Sequence, residues 1–182
     1  MTSKIKTIAA GLLTVVAMTV GATVTATAQD RVEAHKDWSV FEAGEGGQKV
    51  CWIVSQPTKW VAKRDNKTVQ VNRGDIFLMV AVRKADKVKN EVSFLSGYPF
   101  KKGSQVKVAV ASRGGNKRYT LFTDGENAWT SSPGEDNTLT GAFRAGRTAE
   151  VVGESQRGTT TVDTFSLSGF TAAIKAAQKR CQ

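Results

Sequence analysis

From Asp37 onward, apolar and polar residues alternate in short runs, each ended by a Gly, Pro, Asn or Asp turn signal. The first run, Asp37 to Ala43, sets Trp38 and Val40 on one face and Ser39 and Phe41 on the other, as the two-residue period of a strand requires. The Gly44–Gly47 turn leads into a second run ended by Pro57. There Cys51, Ile53 and Ser55 share one face and Val50, Trp52 and Val54 the other. Apolar groups on both faces predict a central strand covered on both sides. Residues 57–73 are polar and basic and read as a connection with one weak strand. Residues 74–84 give the clearest buried strand, and 91–100 another. In 104–113, Val106, Val108 and Val110 oppose Lys107, Ala109 and Ala111. Turns at Gly114-Gly115-Asn116 and Asp124-Gly125 predict hairpins. Residues 131–138 read as a loop and 138–146 as a helical turn or two, before a last hairpin around Gln156-Arg157-Gly158. Roughly eight to ten strands without βαβ alternation predict an all-β fold, an antiparallel sandwich or barrel.

One helix is strongly marked, and it is terminal. Over 169–181, after a candidate N-cap at Ser168, Phe170, Ile174, Ala177 and Cys181 fall on one face. Lys175, Gln178, Lys179 and Gln182 fall on the other, the amphipathic pattern of a helix seated on a sheet. The opposite end has a different character. Lys4 and Lys6 precede the uncharged stretch Ile8–Val24 and the small-x-small site Ala26-Thr27-Ala28, which predicts a secretory signal peptide over 1–28. Interruption by Gly11, Thr14, Thr19 and Gly21 argues against a retained anchor, which needs about 20 strongly apolar residues. No cysteine marks a lipoprotein site, and no transmembrane segment is expected after signal removal. Residues 29–36 read as a flexible polar lead-in, and 37–182 as a single domain.

Export changes the meaning of charge and cysteine. The formal charge of +10 falls to about +8 once Lys4 and Lys6 are removed, since residues 1–28 contain no acid. In an exported chain this favours anionic envelope or host surfaces as partners over nucleic acid, unless the cations simply solvate the surface. Cys51 and Cys181 are the two cysteines. In an oxidising compartment they predict a structural bridge, within the chain or between chains, rather than a redox pair. The expected setting is the periplasm or the exterior, with outer-membrane association open.

Catalytic chemistry finds little material. No GxSxG, HExxH, zinc-ligand spacing or phosphate-binding loop occurs, so no catalytic residue, metal or cofactor is expected. His35, the single histidine, falls in the lead-in. Asp163 is read as bonding neighbouring hydroxyl or backbone groups. Arg73-Gly74-Asp75 spells an adhesion tripeptide but reads as a charged turn before a buried strand. Trp38, Trp52 and Trp129 are expected in the core, and Trp60 partly exposed beside basic residues. Tyr98, in a Gly-Tyr-Pro-Phe corner, is expected to tie its hydroxyl to backbone. The candidate ligand surface is therefore Lys59, Trp60, Lys63, Arg64, Tyr98, Lys101 and Lys102.

Taken in order, several blocks resemble the invasion-associated locus B family of exported alphaproteobacterial proteins. They are Asp37-Trp38, Cys51-Trp52, Arg73 to Val80, Glu91-Val92 through Gly97-Tyr98-Pro99, and Phe122-Thr123-Asp124-Gly125 with Ala128-Trp129. The C-terminal block, Arg157-Gly158-Thr159, Asp163 to Leu167, Gly169 to Ala173 and Cys181, is the most distinctive. The resemblance implies an immunoglobulin-like β-sandwich whose two cysteines are bridged, so that the C-terminal helix is pinned. It transfers no catalytic residue. The expected function is a non-enzymatic envelope or periplasmic protein that binds an unidentified protein or an anionic surface, with a link to host-cell interaction. A structural or chaperone-like module is the alternative, and a glycan or cell-wall hydrolase the weakest reading.

Overall fold

A computed structural model describes residues 30–181; the signal-peptide assignment at 1–28 lies outside them. The strands are β1 (Asp30–His35), β2 (Trp38–Ala43), β3 (Val50–Ser55), β4 (Lys59–Arg64), β5 (Lys67–Thr68), β6 (Phe77–Arg83), β7 (Val88–Leu95), β8 (Gln105–Ser112), β9 (Gly115–Asp124), β10 (Asn127–Trp129), β11 (Thr148–Glu154) and β12 (Thr160–Ser166). Helix α1 (Pro133–Ala145) lies between β10 and β11, and α2 (Phe170–Cys181) follows β12.

The expected antiparallel pairing is present, but in one 12-stranded sheet rather than the two sheets of an immunoglobulin-like sandwich. Its order is β1-β2-β3-β6-β7-β10-β9-β8-β11-β12-β4-β5. The predicted hairpins supply neighbours such as β8–β9 and β11–β12. Distant segments join them: β3 pairs with β6, β8 with β11, and β12 with β4. The sheet curls enough for far-apart strands to meet across one core. Trp38 Nε1, at the start of β2, donates to the Ser166 carbonyl at the end of β12 (3.0 Å). Phe94 of β7 meets Phe165 of β12 edge to face, with centroids 6.1 Å apart.

Strand alternation decides what enters that core. Val40, Ile53, Val80, Phe94, Val108, Leu121, Val151 and Phe165 lie on the inner face and are buried. Helix α2 packs against β1, β2, β3 and β6, and α1 against β7, β8 and α2. Phe170 sits between the rings of Trp38 (4.9 Å) and Phe143 (5.4 Å). Cys181 at the end of α2 is bonded to Cys51 of β3, with Cα atoms 5.8 Å apart, which settles the pairing as intramolecular.

Three local expectations are corrected. The polar segment read as a flexible lead-in forms edge strand β1, paired from Asp30↔Glu42 to His35↔Trp38. Its partner β2 supplies the backbone groups, and Arg180 of α2 bonds Glu33 (2.7 Å) and Glu42 (3.2 Å). The segment read as loop 131–138 begins α1. Ser132 caps the helix through the Glu135 N–H, Pro133 occupies the first turn, and the Glu135 carboxylate accepts from the Ser131 N–H; these are helix-start signals. The outer face of β3 lacks the expected full cover: Val50, Trp52 and Val54 are half-buried, with Trp52 stacked on Phe41 (5.7 Å).

Candidate functional site

Register splits the basic cluster of β4. Trp60 lies opposite Asp163 and Ala62 opposite Thr161 on β12. Asp163 and Thr161 belong to the inner face. Trp60, Ala62 and Arg64 therefore share that face, whereas Lys59, Val61 and Lys63 project from the other side of the strand.

The inner side is built around Arg73, immediately after the polar stretch that follows β5. Its side chain is 3% exposed and that of Asp163 is wholly buried. Nη1 and Nη2 donate to the two Asp163 oxygens at 2.6 and 2.9 Å, while Nε and Nη2 donate to the Ser96 carbonyl at 3.1 and 2.7 Å. The guanidinium carbon lies 5.3 Å from the Trp60 ring centroid and 5.0 Å from that of Tyr98, within cation–π range. This bidentate geometry is what a guanidinium offers and an ammonium does not.

Two backbones approach closely beside this pair. The Gly74 N–H donates to the Gly97 carbonyl (2.9 Å). Gly97 has φ +70°, and a Cβ there would stand 2.5 Å from the Gly74 carbonyl oxygen. Both the conformation and the space require glycine. Tyr98 then points its hydroxyl to Thr161 Oγ1 (2.7 Å), and burial pushes its pKa up to about 12.

Several expectations change here. Asp163 does meet a local hydroxyl, Thr161 at 3.4 Å, but its main partner is Arg73, 90 residues away in sequence. Arg73-Gly74-Asp75 does precede buried strand β6, as read, but its arginine is buried in an ion pair rather than exposed. Tyr98 bonds a side-chain hydroxyl rather than backbone.

Arg73 lines a groove of about 580 Å³ together with Arg64, Gln70, Asn72, Tyr98, Gln156 and Arg157, among others, and Asp163 lies buried behind it. Arg64 donates through Nε and Nη2 to Thr159 Oγ1 (3.2 and 2.7 Å). Arg64 and Arg157 are exposed cations at this groove, Arg73 is neutralised by Asp163, and Glu126 is the one acid on its wall among the described residues. Of the expected ligand surface, Arg64 and Tyr98 line the groove. Trp60, 40% exposed, backs it against Arg73. Lys59 and Lys63 project from the other face of β4. Lys101 bonds Glu154 (2.8 Å), and Lys102 lies in the exposed turn after it; neither reaches the groove.

The aromatics on the outer face were missed. Trp129 is half-buried beside the exposed Phe122 instead of in the core, because β10 turns Ala128 inward and leaves Trp129 on the outer side. Alternation shows that the two residues face opposite ways. It does not say which face is covered.

Comparison with known proteins places this geometry in context. The family model described as "Invasion associated locus B (IalB) protein" matches residues 38–178. None of the curated proteins matches the chain. A crystal structure of invasion associated protein b from Bartonella henselae is similar in fold, with a TM-score of 0.51 and 20% identity, over 85% of this chain and 99% of that one.

Proposed function

The chain belongs to the invasion associated locus B family, and on that footing we propose that it is an exported, non-enzymatic binding protein of the bacterial envelope. It takes an anionic group of a partner into the groove above the Arg73–Asp163 pair. The carrying observation is the groove's lining: two exposed arginines, Arg64 and Arg157, among amides and hydroxyls, with Glu126 as the opposing acid. Guanidinium groups beside amide donors suit the oxygens of a carboxylate, sulfate or phosphate.

A binding role fits the ionisable groups better than catalysis does. A general acid or base works best with a pKa near the operating pH. Both Asp163 oxygens are occupied by hydrogen bonds from Arg73 and have no exposure to a substrate, and burial pushes the Tyr98 pKa up to about 12. Export is supported by the signal-like pattern of residues 1–28 and by the Cys51–Cys181 bridge, which persists in oxidising compartments. A host-cell role rests on the family's name alone.

The test is binding of the mature protein to a sulfated oligosaccharide at rising salt. Affinity should fall steeply as the Debye length shortens from about 10 Å at 0.1 M toward 3 Å at 1 M. Arg64→Ala with Arg157→Ala should weaken it by about tenfold or more at low salt, while Lys59→Ala with Lys63→Ala changes little. Salt-independent binding, or equal losses in the two double variants, would remove the groove from the function.

A further inference from the structure

A second groove, sharing no lining residue with the basic one, has a different chemistry. On the outer face of the sheet Phe122 of β9 lies directly opposite Trp129 of β10. Their centroids are 5.8 Å apart, the planes are tilted by 33°, and Phe122 is 46% exposed. One step along the same face of β9 the outward pair is Lys107↔Thr120, the usual solvent-facing choice. Two large rings on an open strand surface need another explanation.

Their surroundings narrow it. The rings form one side of a groove of about 540 Å³, and the N-terminal turn of α1 with the start of β7 forms the other. Asn90 Nδ2 donates to Asn137 Oδ1, and Asn90 Oδ1 accepts from Gln178 Nε2, both at 2.8 Å. This carboxamide row runs from β7 to both helices and leaves the Asn137 Nδ2 group with no partner among the described residues. Asp136 is fixed behind it by hydrogen bonds from the Val92 N–H and the Thr130 hydroxyl. Ser131 and the capping residue Ser132 are exposed at the rim.

We propose that this groove binds a pyranose ring of a glycan, stacked on Phe122 and Trp129 and hydrogen-bonded by Asn137 and Asn90. A pyranose presents polarised C–H bonds on one face, which the negative π faces of aromatic rings attract. Its edge carries hydroxyls that both donate and accept, and a carboxamide matches both roles in one plane. The volume lies within the ordinary range for small-ligand sites, about 300–1,000 Å³. An acyl chain would satisfy the rings but cover the Asn137 Nδ2 group without giving it a partner, which is costly.

Tryptophan fluorescence of the mature protein, titrated with chitotriose, cellotriose and maltotriose, tests the proposal. At least one should produce a saturable change with a dissociation constant of about millimolar or tighter. Phe122→Ala, exposed enough to leave the fold intact by circular dichroism, should weaken that binding about tenfold, and Asn137→Ala several-fold. Because the sites are separate, Arg64→Ala with Arg157→Ala should leave it unchanged, so failure here is distinct from failure of the basic groove. Absence of a saturable response to all three sugars overturns the proposal. So does wild-type binding by Phe122→Ala, or loss of phosphatidylglycerol-vesicle binding in that variant without any sugar response.

Discussion

Arg73 and Asp163 make the buried charge pair on which the basic groove rests, and the two charges have no equivalent alternatives inside the core. Asp163 has no exposure, and Arg73 is held by that carboxylate and the Ser96 carbonyl. Asp163→Ala would leave the guanidinium buried without its counter-charge. The expected loss is about 3–5 kcal/mol, whereas replacing both with well-packed apolar residues, Arg73→Met with Asp163→Leu, should cost far less. Urea unfolding of the three proteins measures this. A loss below about 1 kcal/mol for Asp163→Ala would mean that Arg73 simply re-solvates. Neither the pair nor its energy was legible in the sequence. Arg73 was visible as part of a tripeptide and Asp163 as a carboxylate among hydroxyls, but no local spacing joins residues 90 positions apart. Trp60 was easier to read, because it lies in a polar and basic stretch with Lys59, Lys63 and Arg64 close by.

At the scale of elements, α2 is held by its apolar face, by the disulfide and by ion pairs to the first hairpin. The Glu33 carboxyl is kept below the usual carboxylate range chiefly by the Arg180 hydrogen bond and then by His35. That of Glu42 is kept low chiefly by the bond from Lys49, with Arg180 adding to it. A carboxylate with a depressed folded pKa contributes stability that is fully present above its unfolded value, near 4.5. That contribution is lost as pH falls through the lower folded values. Protection factors of α2 and β1 amides should therefore drop as pH is lowered below about 4.5, before the central strands respond. Arg180→Ala should remove most of that pH dependence; an unchanged profile would show that the pairs do not hold the helix. The helix was legible from its 3.6-residue period. Strand β1 was not, since its residues are polar and its order comes from pairing with β2. The start of α1 was hidden because Ser132 and Pro133 serve equally as loop residues and as helix-start residues.

At the scale of the molecule, local hairpins were readable from turn residues and alternation, but their assembly was not. Whether about a dozen strands form two sheets or one depends on contacts such as β3–β6, β8–β11 and β12–β4, which join segments separated by whole hairpins and carry no local signature. The disulfide acts at this same scale. Cys51 and Cys181 are 130 positions apart, so every strand from β4 to β12 lies inside the loop they close. In the chain-entropy account, closing a loop that long destabilises the unfolded chain by up to about 5 kcal/mol, with measured effects more often about 2–4. The benefit belongs to the unfolded state and should appear as a shift of the whole unfolding transition. Cys51→Ala with Cys181→Ala should lower the urea midpoint of sheet and helix signals together, by about 2–5 kcal/mol in stability. Detachment of α2 with the sheet midpoint unchanged would make the bridge a local tether. A common shift would make it the constraint that lets one curled sheet, with β1 and β5 as its edges, hold a single core.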